Sequence, residues 1–184
     1  MPGVVHLGLG AFHRAHQAVI FDSLLRGGDL RCGVQGVAMR AVKLADALAG
    51  QDGLYTVRIA SAQGRRWQMI GAVLATGVAA PEPERVIAAI AAPGTRWVTL
   101  NVTEKGYGAE LAELLVKGLA ARKAAGLGGL TIASCDNLTD NGRKLRQLCL
   151  DAAAQTDAAL ASWIASVCAF PNSMVDRIVP AATA

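Results

Sequence analysis

Two kinds of segment alternate along the chain. Short, nearly continuous apolar runs stand at residues 4–7, 32–39, 97–102 and 130–134. Between them, apolar residues recur at three- and four-residue spacing over 11–25, a short stretch ending at Ala49, 81–91, 109–125, 141–154 and 157–168. The first pattern belongs to strands buried on both faces, the second to helices with one apolar stripe. Punctuation agrees with these boundaries. Gly27-Gly28 closes the first helix, Glu82 and Glu84 fall in the first turn of 81–91 with Pro93-Gly94 after it, and Asp157 stands where an N-cap is needed. Two further β-rich runs, 54–60 and 67–74, flank Ala62-Gln63-Gly64-Arg65 and predict an inserted β-hairpin. The repeated strand–helix alternation predicts an α/β fold: a doubly wound, mostly parallel, Rossmann-like sheet.

The opening stretch, V-V-H-L-G-L-G-A-F-H-R-A-H over residues 4–16, reads as strand, glycine turn and helix start. Gly8 and Gly10 let the backbone approach a pyrophosphate, which a Cβ would prevent, and Ala11, Phe12 and His13 follow as candidate contacts. His13 occupies the place of the third glycine in G-x-G-x-x-G. At the end of the second strand, where a dinucleotide site usually carries an acid for the ribose, the sequence reads Arg40-Ala41-Val42-Lys43. Two cations in that position suit a 2′-phosphate. Open α/β sheets place their chemistry at the carboxyl ends of strands. Thr103 and Glu104 after the third apolar run, and Asn137 in the Cys135-Asp136-Asn137 turn after the fourth, are therefore candidates too. A neutral amide such as Asn137 can donate to an alkoxide-like oxygen without titrating.

Composition narrows the function classes. With 184 residues the chain is sized for one well-buried domain, and with 53% apolar and 17% charged residues it is rich in core formers. A net charge of +4 spread over scattered cations argues against nucleic acid and fits a small anionic ligand. The sequence contains no uninterrupted apolar run long enough to span a membrane and no signal-peptide layout, so a cytoplasmic location is expected. Cys32, Cys135, Cys149 and Cys168 are too widely spaced for a zinc ribbon and read as reduced thiols. His13 and His16 share a helical face, but without a third or fourth ligand nearby no metal site is expected. His6 reads as a core residue, and Cys135 lacks a base that would make it a nucleophile.

Four blocks raise the specificity of this picture: G-L-G-A-F-H-R-A-H-Q-A at 8–18, T-E-K-G-Y at 103–107, S-C-D-N-L-T-D-N-G at 134–142, and F-P-N-S-M-V-D-R-I-V-P at 170–180. In these blocks and their order the chain resembles the polyol-specific long-chain dehydrogenases, which include mannitol 2-dehydrogenases and fructuronate reductases (mannonate oxidoreductases). The resemblance implies that residues 1–184 are a dinucleotide-binding domain. It implies further that a helical C-terminal domain outside this chain supplies a catalytic lysine, which leaves the fragment alone inactive. The expected cofactor is NAD, with NADP as the alternative that Arg40 and Lys43 leave open. The chemistry implied is metal-independent hydride transfer to or from a sugar acid or polyol. Asn137 then corresponds to the asparagine that hydrogen-bonds the reacting oxygen, and Val175 and Asp176 to positions lining the substrate. Two departures stand out: the acid after the second strand is missing, and the connection after Tyr107 is shorter than expected for many relatives. The T-E-K-G-Y spelling favours fructuronate reductase over mannitol 2-dehydrogenase. A different class, a non-catalytic dinucleotide-sensing or interaction module derived from the same family, is the alternative suggested by the end of the chain at Ala184.

Overall fold

Five parallel strands form the central sheet of the computed structural model, which describes residues 2–102, 106–175 and 178–180. In chain order the strands are β1 (Val4–Leu7), β2 (Val34–Ala38), the hairpin pair β3 (Tyr55–Ser61) and β4 (Gly64–Ile70), then β5 (Val73–Val78), β6 (Trp97–Leu100) and β7 (Thr131–Ser134). The helices are α1 (Ala11–Ala15), α2 (Gln17–Arg26), α3 (Val42–Ala49), α4 (Pro83–Ala91), α5 (Ala109–Ala124), α6 (Asn141–Ala154) and α7 (Ala158–Val167). The sheet order is β5-β2-β1-β6-β7. The chain thus builds outward from β1 to β5, then crosses back through α4 to lay β6 on the other side of β1. This reversal opens a crevice at the carboxyl ends of β1 and β6, the switch point where such sheets bind ligands.

The register explains the two layers of helices. Leu7 lies opposite Val37 on one side and Leu100 on the other, and Val5 lies opposite Val98. In-register residues of parallel strands share a face. Val5, Leu7, Val37, Val98 and Leu100 therefore point together, and α4, α5 and α6 bury Val86, Ile90, Leu115, Leu119 and Leu145 against them. On the opposite face Val4 and Val34 meet Ala18 and Phe21 of α2, while Ala38, Val73 and Val78 meet Ala45 and Leu48 of α3. The doubly wound α/β architecture with a hairpin is the one the alternation predicts.

Three boundaries differ from the sequence reading. The helix expected over 11–25 is broken at His16, whose backbone (φ −127°, ψ −77°) leaves helical space. The bend keeps α1 with the glycine turn and lets α2 lay Ala18 and Phe21 on the sheet; a helical stripe looks the same along the sequence whether or not the axis bends. Cys32 belongs to a one-turn 3₁₀ helix, Leu30–Cys32, held by the Asp29 carboxylate accepting from the Arg31 N–H at 3.1 Å, so the second strand starts at Val34. The apolar run 67–74 is two strands. β4 pairs antiparallel with β3, Tyr55 opposite Ile70, and after Gly71-Ala72 the chain enters β5, which pairs with β2 at the sheet edge. The Gly71 N–H donates to Asp22 Oδ1 at 2.8 Å and fixes the crossing. Asp157 caps α7 as expected, accepting from the Ala159 N–H at 2.8 Å. Among the described residues no helix is long and apolar enough to cross a membrane.

Candidate functional site

The glycine turn after β1 is clamped by backbone contacts on both sides. Gly8 and Leu9 N–H groups donate to the Val37 carbonyl at 2.8 and 3.1 Å. Gly8 has φ +99°, and a Cβ there would lie 2.1 Å from the Asn101 carbonyl oxygen, so no other residue fits. On the far side of the turn Gly10 faces open space, with only the Gly8 oxygen within reach of a Cβ, at 3.7 Å. A cavity of about 640 Å³ opens there, at the carboxyl ends of β1, β2 and β6. Its lining includes Gly8, Leu9, Gly10, Met39, Arg40, Ala41 and Leu44 on one side and Asn101, Val102, Gly106 and Glu110 on the other. A second cavity of about 640 Å³ lies where the strands begin, around Gly3, Val4, Arg96 and Arg122. The buried guanidinium of Arg122 is already spent on the carbonyls of Gly128 (2.6 Å), Ala92 (2.9 Å) and Ile90 (3.4 Å), and strand amino ends are not where open sheets bind ligands.

Beneath the turn two buried histidines stack, their ring centroids 3.6 Å apart. His6 Nε2–H donates to the Gly8 carbonyl at 3.1 Å, so Nδ1 accepts from the Thr99 hydroxyl at 2.9 Å. His13 Nδ1–H donates to Gln17 Oε1 at 3.2 Å, and the Gln17 amide reaches the Cys135 sulfur at 2.7 Å. Burial drives the His6 pKa well below its ordinary value and pushes His13 down to about 4. Both rings are therefore neutral at neutral pH, and His13 Nε2 is left buried with no hydrogen-bond partner among the described residues. His13 thus supports the turn from below instead of lining the cavity. Ala11 and Phe12 are likewise outside the lining; Phe12 packs on the His16 ring at 4.9 Å. The helix break separates His13 from His16, and among the described residues no three His, Cys, Asp or Glu side chains gather as a metal site would require. Burial raises the Cys135 thiol to about 11, which keeps it protonated and unreactive.

At the cavity mouth the Arg40 guanidinium pairs with Glu110 Oε2 at 2.8 Å, joining the end of β2 to the first turn of α5. Lys43 is exposed on the first turn of α3 and does not line the cavity. Thr103, Glu104 and Asp176, three of the candidate contacts, lie outside the described residues.

A polar centre adjoins the cavity through Asn101, whose amide donates to Asp136 Oδ1 at 3.0 Å and to the Cys135 carbonyl at 3.2 Å. Asp136 Oδ2 accepts from the Tyr107 hydroxyl at 2.8 Å and from Ser134 at 3.1 Å, and the two hydroxyls touch each other. Burial raises the Asp136 pKa, with these donors pulling the other way, and burial also raises that of Tyr107. The next residue, Asn137, is exposed on the turn that follows β7. Asn141, fully buried, donates to the carbonyls of Asp136 and Ser173, each at 3.0 Å, while Ser173 Oγ–H donates to the Ser134 carbonyl at 2.6 Å. These bonds tie the segment carrying half-buried Val175 to the end of β7, beside Asn137. Gly8, Gly10 and Arg40 are thus gathered in one cavity, while Asn137 directly follows the buried Asp136 and Val175 lies two residues beyond Ser173, which is anchored to the end of β7. Asn101, Asp136, Asn141, Ser173 and Glu110 were not singled out from sequence. A carboxylate beside a candidate amide at a strand end was a usable signal for Asp136; an acid in a first helical turn, like Glu110, ordinarily signals only the helix terminus.

Comparison with known proteins follows the same outline. Residues 2–184 match the family described as the mannitol dehydrogenase Rossmann domain. A mannitol 2-dehydrogenase of Phaeosphaeria nodorum is 39% identical over 207 residues, covering 97% of this chain and 36% of that protein. One from Cereibacter sphaeroides is 36% identical, covering 98% of this chain and 43% of that protein. Among solved structures, the Pseudomonas fluorescens mannitol 2-dehydrogenase in ternary complex with NAD and D-mannitol superposes with TM-score 0.88 at 32% identity, over 97% of this chain and 42% of that one. A D-sorbitol dehydrogenase in substrate-free form gives TM-score 0.89 at 31% identity, over 100% of this chain and 44% of that one. This chain therefore spans about two fifths of the length of the proteins it matches.

Proposed function

We propose, since this chain belongs to the mannitol dehydrogenase family as its Rossmann domain, that it is the dinucleotide-binding half of an oxidoreductase moving hydride between NAD and a polyol or sugar acid. The observation that carries the reading is the cavity at the switch point, bounded by a glycine turn whose backbone only Gly8 can adopt. Gly8 and Gly10 would hold the pyrophosphate, with Met39, Ala41 and Leu44 offering apolar surface to the adenosine and Asn101 and Val102 bounding the opposite side. NAD supplies the hydride acceptor when bound. NAD in the complex of the Pseudomonas fluorescens relative supports this cofactor.

The residues of this chain prepare the site for the alcohol. Asn137 offers a neutral amide to the reacting oxygen, and losing such a donor costs about 3 to 4 kcal/mol of barrier. Asp136, held by Asn101, Tyr107 and Ser134, fixes the backbone from which Asn137 projects. Ser173 and Asn141 hold the segment bearing Val175 alongside, and Asp176 follows it in the sequence. In this reading the proton is handled by a lysine of a helical C-terminal domain lying outside residues 1–184, so this chain alone binds cofactor without turnover. The names of the relatives support a polyol substrate, and the T-E-K-G-Y spelling supports a sugar acid as the second reading. The four free thiols support a reducing, cytoplasmic setting.

Titration of the chain with NADH, followed by nicotinamide fluorescence, tests the reading. Binding without oxidation of mannitol or reduction of fructose or fructuronate is the expected result. No binding to a folded sample overturns it, and turnover by this chain alone overturns the assignment of the lysine to another domain. If fusion to the helical domain of a relative restores no activity to a chain that binds NADH, it is a nucleotide-sensing module instead.

A further inference from the structure

We propose that Glu110 is the residue that selects NAD over NADP in this cleft, acting through its ion pair with Arg40; the inference rests on the dinucleotide-binding reading above. A site that prefers the unphosphorylated cofactor ordinarily carries a carboxylate at the end of the second strand, where it accepts from the ribose 2′-hydroxyl. Here that strand end presents Arg40, which taken alone would favour a 2′-phosphate. The structure supplies a carboxylate from elsewhere. Glu110 lines the same cavity from the first turn of α5, and its Oε2 lies 2.8 Å from the Arg40 guanidinium, 70 residues away in sequence. The carboxylate is 55% exposed, so it keeps acceptor capacity for a ligand while holding the cation.

The pair treats the two cofactors differently. A ribose 2′-hydroxyl can donate to Glu110 and leave the ion pair intact. A 2′-phosphate reaches Arg40 only by displacing Glu110, and it then sits beside a like charge. Among the described residues, neighbouring charges do not undo this balance. Glu113, one turn further along α5, is engaged by Lys117 at 2.7 Å, and Lys43 stands outside the cavity lining. Glu110 thus performs from a helix what the strand-end acid performs elsewhere, and Arg40 positions it.

The test is the ratio of NADPH to NADH affinity, measured by fluorescence titration of the wild-type chain, Glu110→Gln and the double variant Arg40→Gln/Glu110→Gln, with circular dichroism confirming the fold of each. The wild type is expected to prefer NADH. Glu110→Gln should shift the ratio toward NADPH by roughly five- to tenfold, the scale of one charge-assisted contact. The double variant should lose that gain, because the freed guanidinium is its source. A wild type that prefers NADPH, or a ratio that Glu110→Gln leaves within about twofold, overturns the inference while the dinucleotide reading stands. If the folded wild type binds neither cofactor, both are overturned together.

Discussion

Acid should weaken this fold through the histidine stack beneath the glycine turn. His13 is buried, and its burial lowers the pKa from 6.5 in the unfolded chain to about 4 in the folded one. Between those values the unfolded state takes up a proton that the folded state refuses, so stability falls as the pH drops. At about 1.4 kcal/mol for each pH unit of that interval, His13 alone removes about 3 kcal/mol between pH 6.5 and pH 4. His6 adds to the effect in the same direction, since it too is held neutral by burial. Asp136 opposes it: its folded pKa is raised above 3.8, so its contribution is present below that value and is lost as pH rises through the folded pKa. Urea unfolding at a series of pH values, followed by tryptophan fluorescence, measures the sum. His13→Gln keeps a hydrogen-bonding side chain there but cannot titrate, and should flatten the dependence between pH 4 and 6.5 by nearly one proton; Asp136→Asn, which removes the opposing group, should steepen it. If the wild type and His13→Gln show the same pH dependence, the stack does not control acid stability and the reasoning fails.

Two further outcomes follow from the same geometry. Gly8→Ala, with φ +99° and a Cβ 2.1 Å from the Asn101 carbonyl, should cost about 3 kcal/mol or more in urea unfolding and abolish NADH binding, whereas Gly128→Ala, at a position with open space, should stay within about 0.5 kcal/mol. Burial raises the Cys149 thiol to about 12 and Cys135 to about 11, so both should resist iodoacetamide at pH 8 until the protein unfolds, as read by mass spectrometry. Cys149 reacting as fast as the partly exposed Cys32 would contradict the packing of α6 against the sheet.

Much of this protein was legible along the chain. Apolar runs and helical stripes report how much of each segment is buried and with what period, and that sufficed for the strands, the helices, the doubly wound fold and the glycine turn. The turn was readable because its requirement is local: a backbone at positive φ packed against Asn101 tolerates no side chain at Gly8. What the periodicity could not report is which distant surface does the burying. The run 67–74 is mostly apolar along its length, and only pairing shows that one half belongs to the hairpin and the other to the sheet edge. His13 looked like a cofactor contact because it follows the turn, but the stack on His6 turns it inward. Likewise Arg40 reads as a free cation until the topology brings the first turn of α5 to the end of β2 and sets Glu110 against it, and the segment after α7 meets β7 through Ala169, Ser173 and Asn141. Local conformational limits and the period of burial are written in neighbouring residues, so the sequence alone determined the elements and the glycine turn. Charge pairing, buried polar partners and the site's outline depend on strand order and helix packing, which join residues far apart in the chain, and only the tertiary structure decided them.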